Sequence, residues 1–304
     1  MKEFWSIMGL AAVASTIMSP VHCLFGLHIV RRGLLFIDLA VAQVAALGMS
    51  VALAKGLDPS NPAHEGQIYL YSLAFALGGA CIISLTRFRL GRVPHEAVIG
   101  IVYVIASAAA FVLLEFSPHG AEELKSLFQG NILFVTKAHV TSTAYWYGAV
   151  LVCLLFVWRS TTKVTLRADD APMGLRLVLL DVLYYALLGF VVASSVQIAG
   201  VLVVFTWLVM PAVVAFFFVN RMSAAVAVAL PISFVGTWLG LFLSYYAPPI
   251  ALSDEARAAI GAGTDEVQRG WPTGPSIVIG MAVLVIVAYA IKLFIPDRQP
   301  EITQ

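Results

Sequence analysis

Between Val182 and Val219 lie 38 residues without an Asp, Glu, Lys, Arg or His. One transmembrane helix takes up about 20 apolar residues, so this stretch predicts two crossings. Its polar patch is Ser194, Ser195 and Gln197, followed by Gly200, and that places an outward-side turn over 194–200. Glycine permits a bend that other residues resist, and hydroxyl and amide groups satisfy the backbone that a bend frees. Such a point either lines a solvent path or is a plain extracellular turn; the residues alone leave both readings open.

The same reading along the chain predicts nine spans, at 5–30, 33–54, 67–86, 96–115, 143–158, 177–195, 199–219, 223–246 and 275–295. The 143–158 run is short and is expected to extend backward into the preceding loop. The apolar runs are continuous, without the alternating segments of a membrane barrel, so the fold class is an all-α polytopic membrane protein of about eight or nine transmembrane helices. Residues 1–304 read as a single transmembrane domain with an extracytoplasmic insert at about 247–274.

Loop charge sets the expected orientation. Loops after odd-numbered spans hold 12 of the 18 Lys and Arg residues, among them Arg31, Arg32, Arg87, Arg159 and Arg176, and the others hold 6. Positive loops stay on the cytoplasmic side, so the N-terminus and the loops 116–142 and 247–274 face outward. After Lys2 the hydrophobic stretch runs on to Arg31, longer than the apolar core of a signal peptide, and predicts a retained first helix.

Composition agrees. The chain is 61% hydrophobic and 12% charged, half the roughly 25% charge of a soluble domain. A net charge of +1 gives no sign of a nucleic-acid partner. Cys23, Cys81 and Cys153 all lie in apolar runs and read as small buried hydrophobes rather than a disulfide framework or a zinc knuckle.

Several kinds of chemistry are missing. The sequence has no GxxxxGK[ST] loop, no HExxH and no GxSxG, so it carries no Walker ATP site and no familiar hydrolase motif. Intramembrane ionisable residues are few: His22, His28, Asp38 and Asp181. A carboxylate within a span costs roughly 2.5–3.5 kcal/mol on insertion scales, so Asp38 is expected to face the bundle interior, either as a structural hydrogen-bonding group or on a permeation path. Gln43, five residues on, lies about 140° away around the helix. His22 stands between Pro20 and Gly26, where a local kink is expected. It reads as a core histidine or as a substrate contact.

Five stretches in order resemble one family, the membrane-spanning permeases of ABC importers for zinc, manganese and iron. They are "CLFGLHIVRRGLLFIDLAVAQVAALG", "EAVIGIVYVIASAAAFVLL", "LFQGNILFVT", "LLDVLYYALLGFVVASSVQIAGVLVVFTWLVMPAVVAFF" and "WPTGPSIVI". The resemblance implies a type II ABC importer-like permease in the cytoplasmic membrane. It implies a homodimer in the lipid bilayer, a separate ABC ATPase subunit that uses the ATP, and an extracytoplasmic metal-binding protein that delivers the ion. It implies no cofactor bound by this chain and no catalysis by it.

Site residues follow from the residues and the resemblance together. The translocation path is expected to include Asp38, Gln43, Ser194, Ser195, Gln197 and Met210, the last beside a kink at Pro211. The family pattern Gly-Asp-Ala-x-x-His in span two departs here: Gln43 stands where the His would be, Leu39 where the Asp would be, and Asp38 comes one residue early. Asp38 and His22 are the candidate metal ligands, and a chelate is an alternative cargo. The loop at about 159–176 is the expected ATPase contact, through Asp169, Asp170, Pro172, Met173 and Gly174. Glu122, Glu123 and Lys125 are expected to meet the delivery protein, and Ser253 is a candidate cap for a short helix in the 247–274 insert. A secondary transporter or channel for a small cation is the alternative function; a membrane-embedded enzyme finds least support.

Overall fold

The computed structural model describes residues 2–59, 61–86, 94–116, 128–166, 174–247 and 271–294. Nine long helices dominate them: α1 (Lys2–Arg32), α2 (Ile37–Ala54), α3 (Pro62–Thr86), α4 (His95–Glu115), α5 (Lys137–Thr165), α6 (Leu175–Ala199), α7 (Val201–Phe218), α8 (Met222–Tyr246) and α9 (Thr273–Phe294). All nine are long and apolar enough to cross a membrane. A short 3₁₀ turn, Ile132–Phe134, precedes α5.

Each predicted span becomes one helix, and two differ from expectation in an instructive way. The short 143–158 run is the middle of a 29-residue helix. Its start is fixed by Thr136, whose Oγ1 accepts the His139 N–H at 3.3 Å, a side-chain cap for an otherwise orphaned amide. Its polar C-terminal turns stay helical because Thr162 and Thr165 donate to the carbonyls of Trp158 and Thr161. The second difference is at 194–200. Ser194, Ser195 and Gln197 belong to α6, and Gly200 alone separates α6 from α7. The serines do not break the helix because both hydroxyls bond back to its own carbonyls. Pro20 and Pro211 likewise lie inside helices that run on past them.

α1 is at the centre, packed on α5, α7 and α8, while α2 packs between α3 and α4 and touches α6. α3 lies along α6, and α9 along α8 and α7. Apolar side chains such as Ile105 of α4, Phe156 of α5 and Ile286 of α9 point away from the protein; surrounded by hydrocarbon, they lose nothing by exposure. α1 closes with Gly33 at φ +69°, the Gly33 N–H on Val30 O and the Leu34 N–H on Ile29 O, both at 3.1 Å. That paired closure turns the chain sharply and starts α2 at the same end of the bundle as Arg32.

Close helix contacts fall on glycine. A side chain at Gly26 of α1 would run into the Leu208 carbonyl of α7. On α8, Gly236 and Gly240 are four apart, and a Cβ on Gly280 of α9 would come within 3 Å of the Gly240 backbone, the small-residue packing typical of membrane helices. Gly26→Leu is expected to cost several kcal/mol through overpacking, beyond the about 1–3 kcal/mol of a forced core methylene, and to abolish a monodisperse peak in detergent chromatography. Gly78→Leu on α3, where nothing lies within 4 Å, is expected to elute like the parent.

Candidate functional site: a polar groove and the buried histidine behind it

At the end of the bundle opposite Arg32, α3 and α5 flank α6 and leave a groove of about 560 Å³. Its walls carry Glu65 and Tyr69 of α3 and His139, Thr143 and Tyr147 of α5; Ser194 and Gln197 of α6 form the floor. Helical spacing explains the floor: residues three apart share a face, so Ser194 and Gln197 look the same way. Ser195 is rotated off that face and fully buried.

Behind the floor the polar groups continue inward. The Tyr147 hydroxyl donates to Val191 O at 3.1 Å and lies 3.4 Å from Ser194 Oγ. Ser194 and Ser195 also reach Val191 O, at 3.0 and 2.7 Å. Three hydroxyls thus compete for one carbonyl, which has two lone pairs. His22 of α1 adds another partner. Its Nδ1 is 2.9 Å from Met18 O, and its Nε2 is 2.9 Å from Ser195 Oγ. A carbonyl only accepts, so Nδ1 carries a proton, which leaves Nε2 of a neutral ring as a second acceptor, beside Val191 O, for the single Ser195 O–H. The His22 ring lies 5.9 Å from the Tyr147 ring and 5.8 Å from that of Trp207. Trp207 Nε1 donates to Thr237 of α8 at 2.9 Å. One polar layer therefore joins α1, α5, α6, α7 and α8 inside an apolar bundle.

The floor of the groove ends at Gly200, with φ +80° and ψ 158°. Against it lies Gly130, at φ +68°. A Cβ on either would collide with the backbone of the other's segment, and the Asn131 N–H donates to Ile198 O at 3.0 Å. The segment 128–134 is thereby fastened to the α6–α7 junction. The same segment lines a second cavity of about 1060 Å³, with Glu3 of α1, Ser244 and Tyr245 of α8 and Trp271 ahead of α9.

The opposite end holds a different cluster. Arg32 Nη1 and Asp181 Oδ1 are 2.7 Å apart, with side chains 2% and 0% exposed. Arg32 Nε donates to Thr165 Oγ1 at 3.0 Å, and His28 Nδ1 lies 3.0 Å from the same oxygen. The guanidinium stacks over Tyr184, 4.7 Å from the ring centroid. This joins the ends of α1 and α5 to the start of α6, on either side of the chain between α5 and α6.

The sequence-predicted residues divide accordingly. Ser194 and Gln197 line the groove and Ser195 lies directly behind it. His22 is in the polar layer, but Asp38 is not with it. Asp38 is buried in the first turn of α2, where the helix's free amides favour a carboxylate. That end of the bundle is ten residues of α1, about 15 Å, from His22. The two candidate metal ligands are therefore not brought together, and among the described residues no three of His, Cys, Asp and Glu form a metal-holding group. Gln43 is buried further along α2, and Met210 is half-buried on α7. Gly174 caps the start of α6 in extended conformation. Asp169, Asp170, Pro172, Met173, Glu122, Glu123, Lys125 and Ser253 lie outside the described residues. Glu65, Tyr69, His139 and Tyr147 were missed: they come from distant helices and share no local motif, and only the packing of α3 and α5 on α6 assembles them.

Among the described residues, nine apolar helices with a polar groove leading to a buried polar layer form the bundle of a polytopic membrane protein. Residues 5–254 match the model of the ABC 3 transport family; the chain belongs to that family and is the multi-pass permease component of an ABC transport system in the cytoplasmic membrane. It is 22% identical over 245 residues to the manganese transport system membrane protein MntC of Listeria monocytogenes, covering 79% of this chain and 82% of that one. Against the chelated iron transport system membrane protein YfeD of Yersinia pestis it is 24% identical over 287 residues, 93% of this chain and 85% of the other. The structure of PsaBC from Streptococcus pneumoniae in complex with Fab superposes with a TM-score of 0.69 at 18% identity, over 95% of each chain.

Two outcomes are expected from this geometry. In a double-mutant cycle of His22→Leu and Ser195→Ala, thermal unfolding in detergent should return a favourable coupling of about 0.6 kcal/mol and no more than about 1.7 kcal/mol, the average and the maximum for interhelical hydrogen bonds in membranes. Gly200→Ala should lower the melting midpoint more than Gly148→Ala, since Gly148 has open space around it and no positive φ.

Proposed function

We propose that the chain is the permease of an importer for a divalent first-row metal ion, manganese, iron or zinc, or a chelate of one, with the energy supplied by ATP hydrolysis in a separate subunit. The observation that carries this reading is the family match over residues 5–254. Relatives named for manganese and chelated iron transport support the cargo. The groove adds a chemical argument: its donors are carboxylate, imidazole, amide, phenol and hydroxyl, a set suited to manganese, iron and zinc rather than to soft Cu(I).

In this reading two copies pair across the membrane, and cargo passes from the groove along Ser194, Gln197 and the Ser195–His22 layer. Met210 of α7 and Asp38 and Gln43 of α2 border the route. The ATPase subunit meets the chain between α5 and α6, at Asp169, Asp170, Pro172, Met173 and Gly174. The delivery protein docks through Glu122, Glu123 and Lys125. ATP is used by the partner and no cofactor is held here.

The test is reconstitution in liposomes with the ATPase subunit and the delivery protein. Accumulation of Mn²⁺ is expected only with all three proteins and ATP. Uphill accumulation by this chain alone on a proton or sodium gradient would replace the reading with a secondary transporter.

A further inference from the structure

The geometry points to a metal-capture site at the mouth of the groove, formed by Glu65 and His139. Glu65 is in the first turns of α3 and His139 in the first turn of α5. Both helices pack on α6, so their starts face each other across the opening. There Glu65 Oε1 and His139 Nε2 lie 3.1 Å apart, with side chains 66% and 48% exposed.

As a structural tie this pair is weak, because exposed ion pairs contribute about 0–1 kcal/mol. As a ligand pair its spacing is apt. Nitrogen and oxygen ligands at about 2.0–2.2 Å from one ion, set at about 90–109°, stand about 2.8–3.6 Å from each other. An ion can therefore replace the shared proton at the present separation of the two atoms, each exposed side chain turning to aim its lone pair at the ion and the imidazole passing to its Nδ1–H tautomer. Tyr69, Thr143 and Gln197 below offer further oxygen donors, directly or through water.

The chemistry also sets the strength. One carboxylate and one imidazole favour manganese, iron, cobalt and zinc over magnesium and calcium, since imidazole is a poor ligand for the last two. Two protein ligands with water hold an ion loosely, which suits a place where cargo is received and passed on: a transport site must bind well enough to load and weakly enough to release. The polar groups from Ser194 to His22 lie directly beneath.

The role in import rests on the proposed function, but the binding does not. The full chain in lipid nanodiscs is titrated with Co²⁺, read by its visible absorption and by calorimetry. One Co²⁺ per chain is expected, weakened at least about 10-fold, the lower bound for disturbing even outer-sphere partners, in both Glu65→Gln and His139→Gln. Glu65→His is expected to keep Co²⁺ and to shift preference from Mn²⁺ toward Zn²⁺. No binding by the parent, unchanged affinity in either Gln variant, or loss of Co²⁺ in Glu65→His as complete as in Glu65→Gln would overturn the site. Binding that behaves as expected without any ATP-driven uptake would leave the site standing and remove the importer reading instead.

Discussion

Inside hydrocarbon a polar side chain cannot turn to water, so its partners come from the protein itself. That requirement organises this bundle. His22 is answered by Ser195 and Met18, Trp207 by Thr237, Tyr184 by Phe25 O, and Arg32 by Asp181 and Thr165. The links run from α1 to α5 and α6, and from α7 to α8. Apolar packing alone is non-directional and would let these helices slide; the polar links fix their register.

The links fall at two depths, and the difference has physical content. The layer around His22 is made of hydroxyls, an indole and an imidazole, and it tolerates rearrangement because hydroxyl protons rotate freely. The Arg32–Asp181 pair is different. Separating two buried opposite charges is costly, and removing one partner from such a pair typically destabilises by about 3–5 kcal/mol. One end of the bundle is thus rigidly tied where α1, α5 and α6 meet, while the other is a groove spanned at its mouth by one exposed Glu65–His139 contact. The two ends are held in opposite ways, one by a buried charge pair and the other by an exposed contact.

Much of this was legible in the sequence, for reasons that particular residues make plain. The spans could be read because about 20 apolar residues in a row have few alternatives, and the charge-free run from Val182 to Val219 already required two helices. The family could be read from stretches around Arg32, Asp181 and Gln197, whose order along the chain is specific. The turn at 194–200 was misplaced because serines look like loop formers, whereas here their hydroxyls return to Val191 O and keep α6 intact to Ala199. Asp38 and His22 each stand out as polar in apolar surroundings, but depth is set by position along the helix, and these two belong to different depths. The groove could not be read at all. Glu65 and His139 are 74 positions apart, and nothing local to either marks it as facing the other.

The contact between Gly130 and Gly200 has a consequence for how such a chain can vary. Each is left without a side chain because of the other's backbone, and each holds a dihedral that disfavours any replacement. A change at one cannot be rescued by a change at the other, since neither has an atom left to give up. The two positions form a locked pair, and the only escape is to rebuild the whole segment from 128 to 134 together with the junction it rests on.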